Sequence, residues 1–397
     1  MARMPPTAKL RIVVPRFAPG VIGGAEELVR RLATALVERD WDVHVWSTTA
    51  IDEATWAGDA APGTGTAADG VTVWRFPVVR RRRPRLFHQA SRAFFRLPEG
   101  VRPERAWIRA QGPYAPALVR ALAAPVDEPT LFIPYLYHPT VEGLPVSSRP
   151  RLLVPAAHRE RPLHLRRVGA AIAAADALWY SSEEERALVE EMHAAARHLP
   201  HAVGTTGIEP SRGDAERWRA ASGIADAVLL YGGRATPGKG LDLLFDGFAE
   251  LRATHRGVRL VLTGEHGAVA LPPGVAAVGR LEPSAWHDAL AAALAVVVPS
   301  PMESLSLLAL EAWAAGRPVI ANGESDVLRG HLARSGAGLM FATPLEFSAA
   351  AARLLDDPAQ AQRMGEAGRS YVTANFRWDD VVARLERLLA EARDRAR

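Results

Sequence analysis

Residues 299–320 read Pro-Ser-Pro-Met-Glu-Ser-Leu-Ser-Leu-Leu-Ala-Leu-Glu-Ala-Trp-Ala-Ala-Gly-Arg-Pro-Val-Ile. An apolar run at 295–298 leads into this stretch, and a polar turn separates that run from a Leu- and Ala-rich helical segment. Gly316 and Pro318 stop the helix, and a second apolar run follows. Strand, turn, helix and strand in that order make a βαβ unit, which implies a parallel sheet with a right-handed crossover. Glu303 stands in the turn and Glu311 two helical turns further on.

The two carboxylates are eight residues apart, a rise of roughly 12 Å on an α-helix. Ser304, Leu305 and Ser306 lie between them, and the amides of Leu305 and Ser306 fall at the helix start. Unpaired N–H groups and the helix dipole favour a phosphate at such a place. Carboxylates accept from sugar hydroxyls, so this one element suits the sugar, diphosphate and ribose of a nucleotide diphosphate sugar. The competing reading is a buried βα unit whose Glu303 is an N-terminal charge and whose Glu311 is a solvated helix residue.

The same alternation extends in both directions. Strands are expected at 10–14, 41–46, 71–76, 130–134, 151–154 and 177–180, then at 227–231, 259–263, 276–278, 295–298 and 318–321. Helices are expected at 25–37, 168–175, 182–192 and 378–390, and residues 52–70, rich in Gly, Ala, Thr and Asp, read as a flexible loop. Gly204, Gly207, Pro210 and Gly213 interrupt the periodicity between 199 and 226. A chain of 397 residues exceeds one ordinary core. Two doubly wound α/β domains are expected, facing one another across a cleft: 1–203, 204–376, and a final helix in 377–397.

Bulk properties narrow the class. Hydrophobic residues make up 48% and charged residues 23% of the chain, as in a soluble globular protein. No apolar run reaches the roughly 20 residues that span a bilayer, and no signal-peptide pattern opens the sequence, so a cytoplasmic location is expected. The absence of cysteine excludes disulfides, thiolate metal sites and cysteine nucleophiles. Net charge is +4, with Arg80, Arg81, Arg82, Arg83 and Arg85 concentrated in one run. That run reads either as a solvated loop or as a contact for an anionic acceptor or membrane surface. Few aromatics interleave with it and no known nucleic-acid module surrounds it, so a nucleic-acid partner is not expected.

Residues 231–242, Tyr-Gly-Gly-Arg-Ala-Thr-Pro-Gly-Lys-Gly-Leu-Asp, place glycines between a strand and a helix. Gly232 and Gly233 allow close backbone approach, and Arg234 and Lys239 supply the two cations a diphosphate needs. Gly240 stands where a Walker loop would carry Ser or Thr, so the magnesium hydroxyl is missing. A glycine-rich turn with two surface cations is the plainer reading. Gly23 and Gly24 open the first helix and suit a phosphate or sugar. His138 and His158 each follow a first-domain strand, where ligand groups collect in open α/β sheets. No His pair has metal-ligand spacing near a carboxylate and no G-x-S-x-G elbow occurs, so neither a metal site nor a serine hydrolase is expected.

Taken in order, these pieces resemble the retaining glycosyltransferases of family 4, which have the two-Rossmann GT-B fold. The likeness rests on Gly23-Gly24-Ala25-Glu26, His158, Gly207-Ile208, Gly233-Arg234 with Lys239-Gly240, Gly279, and Glu303 with Glu311. It implies sugar transfer from a nucleotide diphosphate sugar to an acceptor hydroxyl with retained anomeric configuration, without a metal or further cofactor. The acceptor would belong to a polysaccharide, glycolipid or glycosylated small molecule. By the same likeness Arg234 and Lys239 hold the diphosphate, Glu303 the donor sugar and Glu311 the ribose. His158 lies at the reacting face, Gly24 approaches donor or acceptor, and the last helix crosses back to the first domain. The family usually has glycine where this chain has Ser306, and Asn-Gly where it has Thr206-Gly207. A nucleotide-sugar epimerase on the same fold and a catalytically silent nucleotide-sugar-binding module are the alternatives.

Overall fold

A computed structural model describes residues 8–396 except 22, 59, 67–69, 212, 236, 237 and 267–269. Ile22 of the first glycine loop and Thr236-Pro237 of the second therefore lie outside the described residues. Packing divides the chain after Thr206 and again after Arg377 into two units.

Unit 1 contains β1 (Ala8–Arg16), β2 (Trp41–Thr48), β3 (Gly63–Thr66), β4 (Thr72–Phe76), β5 (Thr130–Phe132), β6 (Arg151–Leu153), β7 (Ala177–Tyr180) and β8 (His201–Val203). They form one sheet in the order β3-β4-β2-β1-β5-β6-β7-β8. All neighbours are parallel except the edge pair of β3 with β4. β3 departs from the loop expected over 52–70. Its Gly-Thr-Gly-Thr sequence has no apolar face to betray a strand, yet an edge strand needs only backbone partners on one side.

Alternation explains why both sheet faces are covered. Along β1, Leu10, Ile12 and Val14 enter one core, while Val13 points to the other. The first core is closed by two helices, Gly24–Val37 and Trp378–Ala396. The second helix contributes Val381, Val382, Leu385, Leu388, Leu389 and Ala392, a stripe at i, i+3 and i+4 spacing. The end of the chain is thus part of the core of unit 1.

Unit 2 contains β9 (Ala227–Gly232), β10 (Val258–Thr263), β11 (Val275–Ala277), β12 (Ala293–Val298), β13 (Val319–Asn322) and β14 (Gly338–Phe341). Its all-parallel order is β11-β10-β9-β12-β13-β14. Renumbered from its own first strand, this is the 3-2-1-4-5-6 order of the Rossmann fold. Val228 and Leu230 face one core and Leu229 and Tyr231 the other, so helices cover both faces.

Strand order reverses between β9 and β12 in unit 2, and between β1 and β5 in unit 1. Crevices open at the carboxyl ends of strands at such switch points. The two motifs at 231–242 and 299–320 follow β9 and β12. The Gly23-Gly24 loop and His138 follow β1 and β5.

Candidate functional site

At the switch point of unit 2 the two motifs meet. Lys239 Nζ lies 3.2 Å from Glu303 Oε1, with 39% and 17% of the side chains exposed. Gly240, at φ 73°, begins the helix Leu241–Thr254, and a side chain there would strike the carbonyl of Pro299. That carbonyl also accepts from Asn322 Nδ2 at 2.9 Å. The turn after β9 is therefore pressed onto the turn after β12, and only glycine permits the approach. Tyr231 at the end of β9 donates its hydroxyl to the carbonyl of Arg234 at 3.0 Å, holding the backbone of the residue that carries the first cation of the loop. Burial, with the Glu303 charge adding to it, pushes the Tyr231 hydroxyl up to about 12, so it remains a donor.

The helix Leu307–Ala314 starts at Ser306. Leu305 and Ser306 are buried, while Glu303 and Ser304 are half-buried. Glu311 Oε2 accepts from Trp286 Nε1 at 3.0 Å. Glu311 is therefore not a freely solvated helix residue. Cation, turn, helix start and second carboxylate thus share one end of one sheet.

Ser306 adopts φ 69° and ψ 78°, a left-handed conformation that costs a residue other than glycine about 1 kcal/mol or more. Its Oγ is buried with no partner among the described residues. Ser306→Gly should remove both penalties and lose only some unfolded-state rigidity, a net gain of about 1 kcal/mol. Differential scanning calorimetry of the ligand-free protein should show the midpoint rising by about 2–4 °C; a fall would mean the turn stores no strain.

In unit 1 the Gly23-Gly24 loop caps a buried charge cluster. Arg16, at the end of β1, donates from Nε to Glu26 Oε1 at 2.8 Å, from Nη1 to the Ile51 carbonyl at 2.8 Å and from Nη2 to Glu53 Oε2 at 3.2 Å. Tyr137 donates to Glu53 Oε1 at 3.3 Å. A Cβ at Gly23 would meet the Glu26 carboxylate, so a side chain there would have to displace Glu26 from its pairing with Arg16. Burial raises the Glu26 carboxyl, and Arg16 works against that shift.

His158 is half-buried on the loop after β6, two residues beyond Ala156, which sits at φ 50°. The loop is held from below by Glu185, whose two oxygens accept from the amides of Ala157 at 2.8 Å and Ser181 at 2.6 Å. Complete burial pushes the Glu185 carboxyl up to about 7.

His138 lies deeper than His158. It begins the helix His138–Gly143 and is only 3% exposed. Its ring meets Tyr114 edge-on at 4.9 Å. Burial first, then the charges of Arg109 and Arg105, push it down to about 4. The ring is enclosed in unit 1, and its Nδ1 is buried with no hydrogen-bond partner among the described residues. The arginine run is also divided. Arg82 turns inward, donating to the carbonyls of Ala54 at 2.7 Å, Glu53 at 2.5 Å and Gln111 at 3.2 Å, while Arg80, Arg81, Arg83 and Arg85 stay exposed.

Arg16, Glu53, Tyr137, Glu185 and Trp286 were not singled out from sequence. Single residues at a strand end, in a loop or within a helix carry no motif, and what joins them is contact between elements distant in sequence. Among the described residues no helix is long and apolar enough to cross a membrane.

Residues 214–371 match the family model described as Glycosyl transferases group 1, and residues 23–203 match the Glycosyl transferase 4-like domain. The chain is similar to D-inositol 3-phosphate glycosyltransferase 1 of Catenulispora acidiphila, with 32% identity over 56% of this chain and 59% of that one. It is also similar to a glycogen synthase of Mycobacterium tuberculosis, 32% identical over 43% of this chain and 44% of the other. The matched part thus spans about half the length of these curated relatives. Among solved structures, sucrose-phosphate synthase of Thermosynechococcus elongatus superposes with a TM-score of 0.71 at 19% identity, covering 97% of this chain and 98% of that one. HepE of Anabaena, in complex with UDP-glucose, superposes with a TM-score of 0.70 at 15% identity over 96% and 99%. These likenesses show the fold. The two family matches fall on the two Rossmann-like units that carry the motifs described above, and the chain belongs to the family 4 glycosyltransferases of GT-B fold.

Proposed function

We propose that the protein transfers a sugar from a nucleotide diphosphate sugar to an acceptor hydroxyl with retention of anomeric configuration. The observation that carries this reading is the 3.2 Å approach of Lys239 to Glu303 at the switch point of unit 2. A nucleotide sugar presents its anionic diphosphate directly beside its hydroxyl-rich ring, so its site needs a cation and a carboxylate side by side.

In this reading Lys239 and Arg234 bind the diphosphate, assisted by the amides of Leu305 and Ser306. Their importance grows as the bond from anomeric carbon to phosphate oxygen breaks, because negative charge then builds on the departing diphosphate. Glu303 accepts from hydroxyls of the donor sugar and Glu311 from the ribose. The bond from anomeric carbon to phosphate oxygen breaks, the acceptor oxygen bonds to that carbon from the same face, and the departing phosphate oxygen takes the acceptor's proton, so the chemistry calls for no protein nucleophile. His158 is the unit 1 residue assigned to the reaction itself, and the Gly23-Gly24 loop is assigned to substrate approach. The exposed members of the arginine run suit an anionic acceptor or a membrane-held one, which would place the protein at the inner membrane face.

The test is release of nucleoside diphosphate from a panel including UDP-glucose and GDP-mannose. Polyols and sugar phosphates would be offered in solution, and glycolipids in anionic vesicles. Acceptor-dependent release, with a product whose anomeric proton coupling matches that of the donor sugar, supports the reading. An inverted coupling overturns retention, and conversion of donor without an acceptor adduct overturns transfer.

A further inference from the structure

We propose that Trp286 is a positioning residue for the ribose of the donor, acting through Glu311. The inference rests on the donor-site reading of unit 2 given above.

Trp286 lies on the helix Pro283–Ala292, which leads into β12 and belongs to neither motif. Its side chain reaches the carboxyl end of β9 and the helix Leu307–Ala314 together. The indole Nε1 donates to Glu311 Oε2 at 3.0 Å. The six-membered edge of the ring lies against Gly232, where an added Cβ would be 2.7 Å from Cη2 and 3.2 Å from Cζ3, with Leu308 Cδ1 also at 3.2 Å. Gly232 is not among the glycines with positive φ. Its backbone therefore does not demand glycine; the space taken by the indole does. The sequence has given up a side chain at the end of the central strand so that an indole can lie across it and reach Glu311.

The chemistry follows from the donor count. A ribose diol offers hydroxyl donors, and a carboxylate can accept through both oxygens. A glutamate on a helix surface has three side-chain torsions to order before it can receive them, at a cost on each binding event. An N–H fixed to one oxygen orders the carboxylate in advance and leaves accepting capacity directed by that contact. Because indole is neutral and only donates, it orders Glu311 without cancelling the charge that makes it a good acceptor.

The experiment compares affinities of the full chain for UDP and GDP with those for their 2′,3′-dideoxy forms, by calorimetry, in wild type, Trp286→Phe and Gly232→Ala. Wild type should favour the ribose form of the nucleotide it binds by about tenfold, as expected for hydrogen bonds to a charged acceptor. Trp286→Phe keeps an aromatic ring but loses the N–H, and should bring that preference to about twofold while affinity for the dideoxy form stays unchanged. Gly232→Ala should act in the same direction by displacing the ring. In steady state, the donor KM of Trp286→Phe should rise severalfold with little change in kcat. In a Glu311→Ala background, Trp286→Phe should have no further effect on the preference, since the two act as one unit. The preference is a ratio measured on one preparation, so a partly unfolded variant does not distort it.

An unchanged preference in Trp286→Phe overturns the proposal. So does an equal loss for both forms, which is the mark of a general structural role. Wild type that binds nucleotides without a ribose preference also overturns it, but leaves the diphosphate reading standing. Wild type that binds neither nucleotide in either form, nor any other nucleoside diphosphate, removes the donor-site reading itself.

Discussion

Lys239→Ala is expected to lower kcat/KM for the nucleotide sugar by about ten- to a hundredfold. A charge-assisted hydrogen bond to phosphate contributes about 1.5–3 kcal/mol, and each 1.4 kcal/mol is a factor of ten. Most of the effect should lie in donor affinity, with a smaller share in kcat, because the cation holds the diphosphate both before and during departure. The fold should survive: Lys239 is 39% exposed and pairs with Glu303, an interaction that surface screening keeps small. Steady-state kinetics with equal thermal midpoints for the two proteins checks this. Unchanged kinetics would remove Lys239 from the diphosphate site.

Glu303→Gln should separate chemistry from nucleotide binding. Glu303 is only 17% exposed and faces Lys239 at 3.2 Å. The neutral amide retains one acceptor for the sugar but offers N–H donors where hydroxyl donors arrive. We expect kcat to fall about a hundredfold, the range seen when one preorganised polar contact to the reacting group is lost. Affinity for the free nucleoside diphosphate should stay the same or improve, since Lys239 loses its competing carboxylate. A parallel loss of transfer and of nucleoside diphosphate binding would place Glu303 away from the sugar.

The pattern of the chain exposed the strands that matter most. β9 and β12 are continuous apolar runs, because a parallel strand covered on both faces has no polar side to show. The glycines at 232, 233 and 240 and the turn at 299–306 stood out because they punctuate those runs. Other features were illegible for physical reasons. β3 has no apolar face. Trp286 sits in an apolar helix where a tryptophan reads as core, and its role depends on an indole N–H reaching another helix. His138 does follow its strand, but a helix begins at that very residue and turns the ring inward against Tyr114. Arg82 is indistinguishable by sequence from the arginines beside it, yet it alone of the run is folded onto three carbonyls. In each case the deciding fact is a contact between residues distant in sequence, and no local pattern records it.

The central claim is that unit 2 binds a nucleotide diphosphate sugar through the turn after β9 and the turn after β12. Thermal stabilisation of the full chain by UDP, GDP, ADP and their sugar conjugates tests it most directly, in wild type and in Lys239→Ala. Ligand at a hundred times its dissociation constant contributes about 2.7 kcal/mol of stability to a site of this kind. One nucleotide series should therefore raise the wild-type midpoint by several degrees, and the rise should shrink in Lys239→Ala. No rise with any nucleotide or nucleotide sugar at millimolar concentration, or an equal rise in both proteins, would contradict the account.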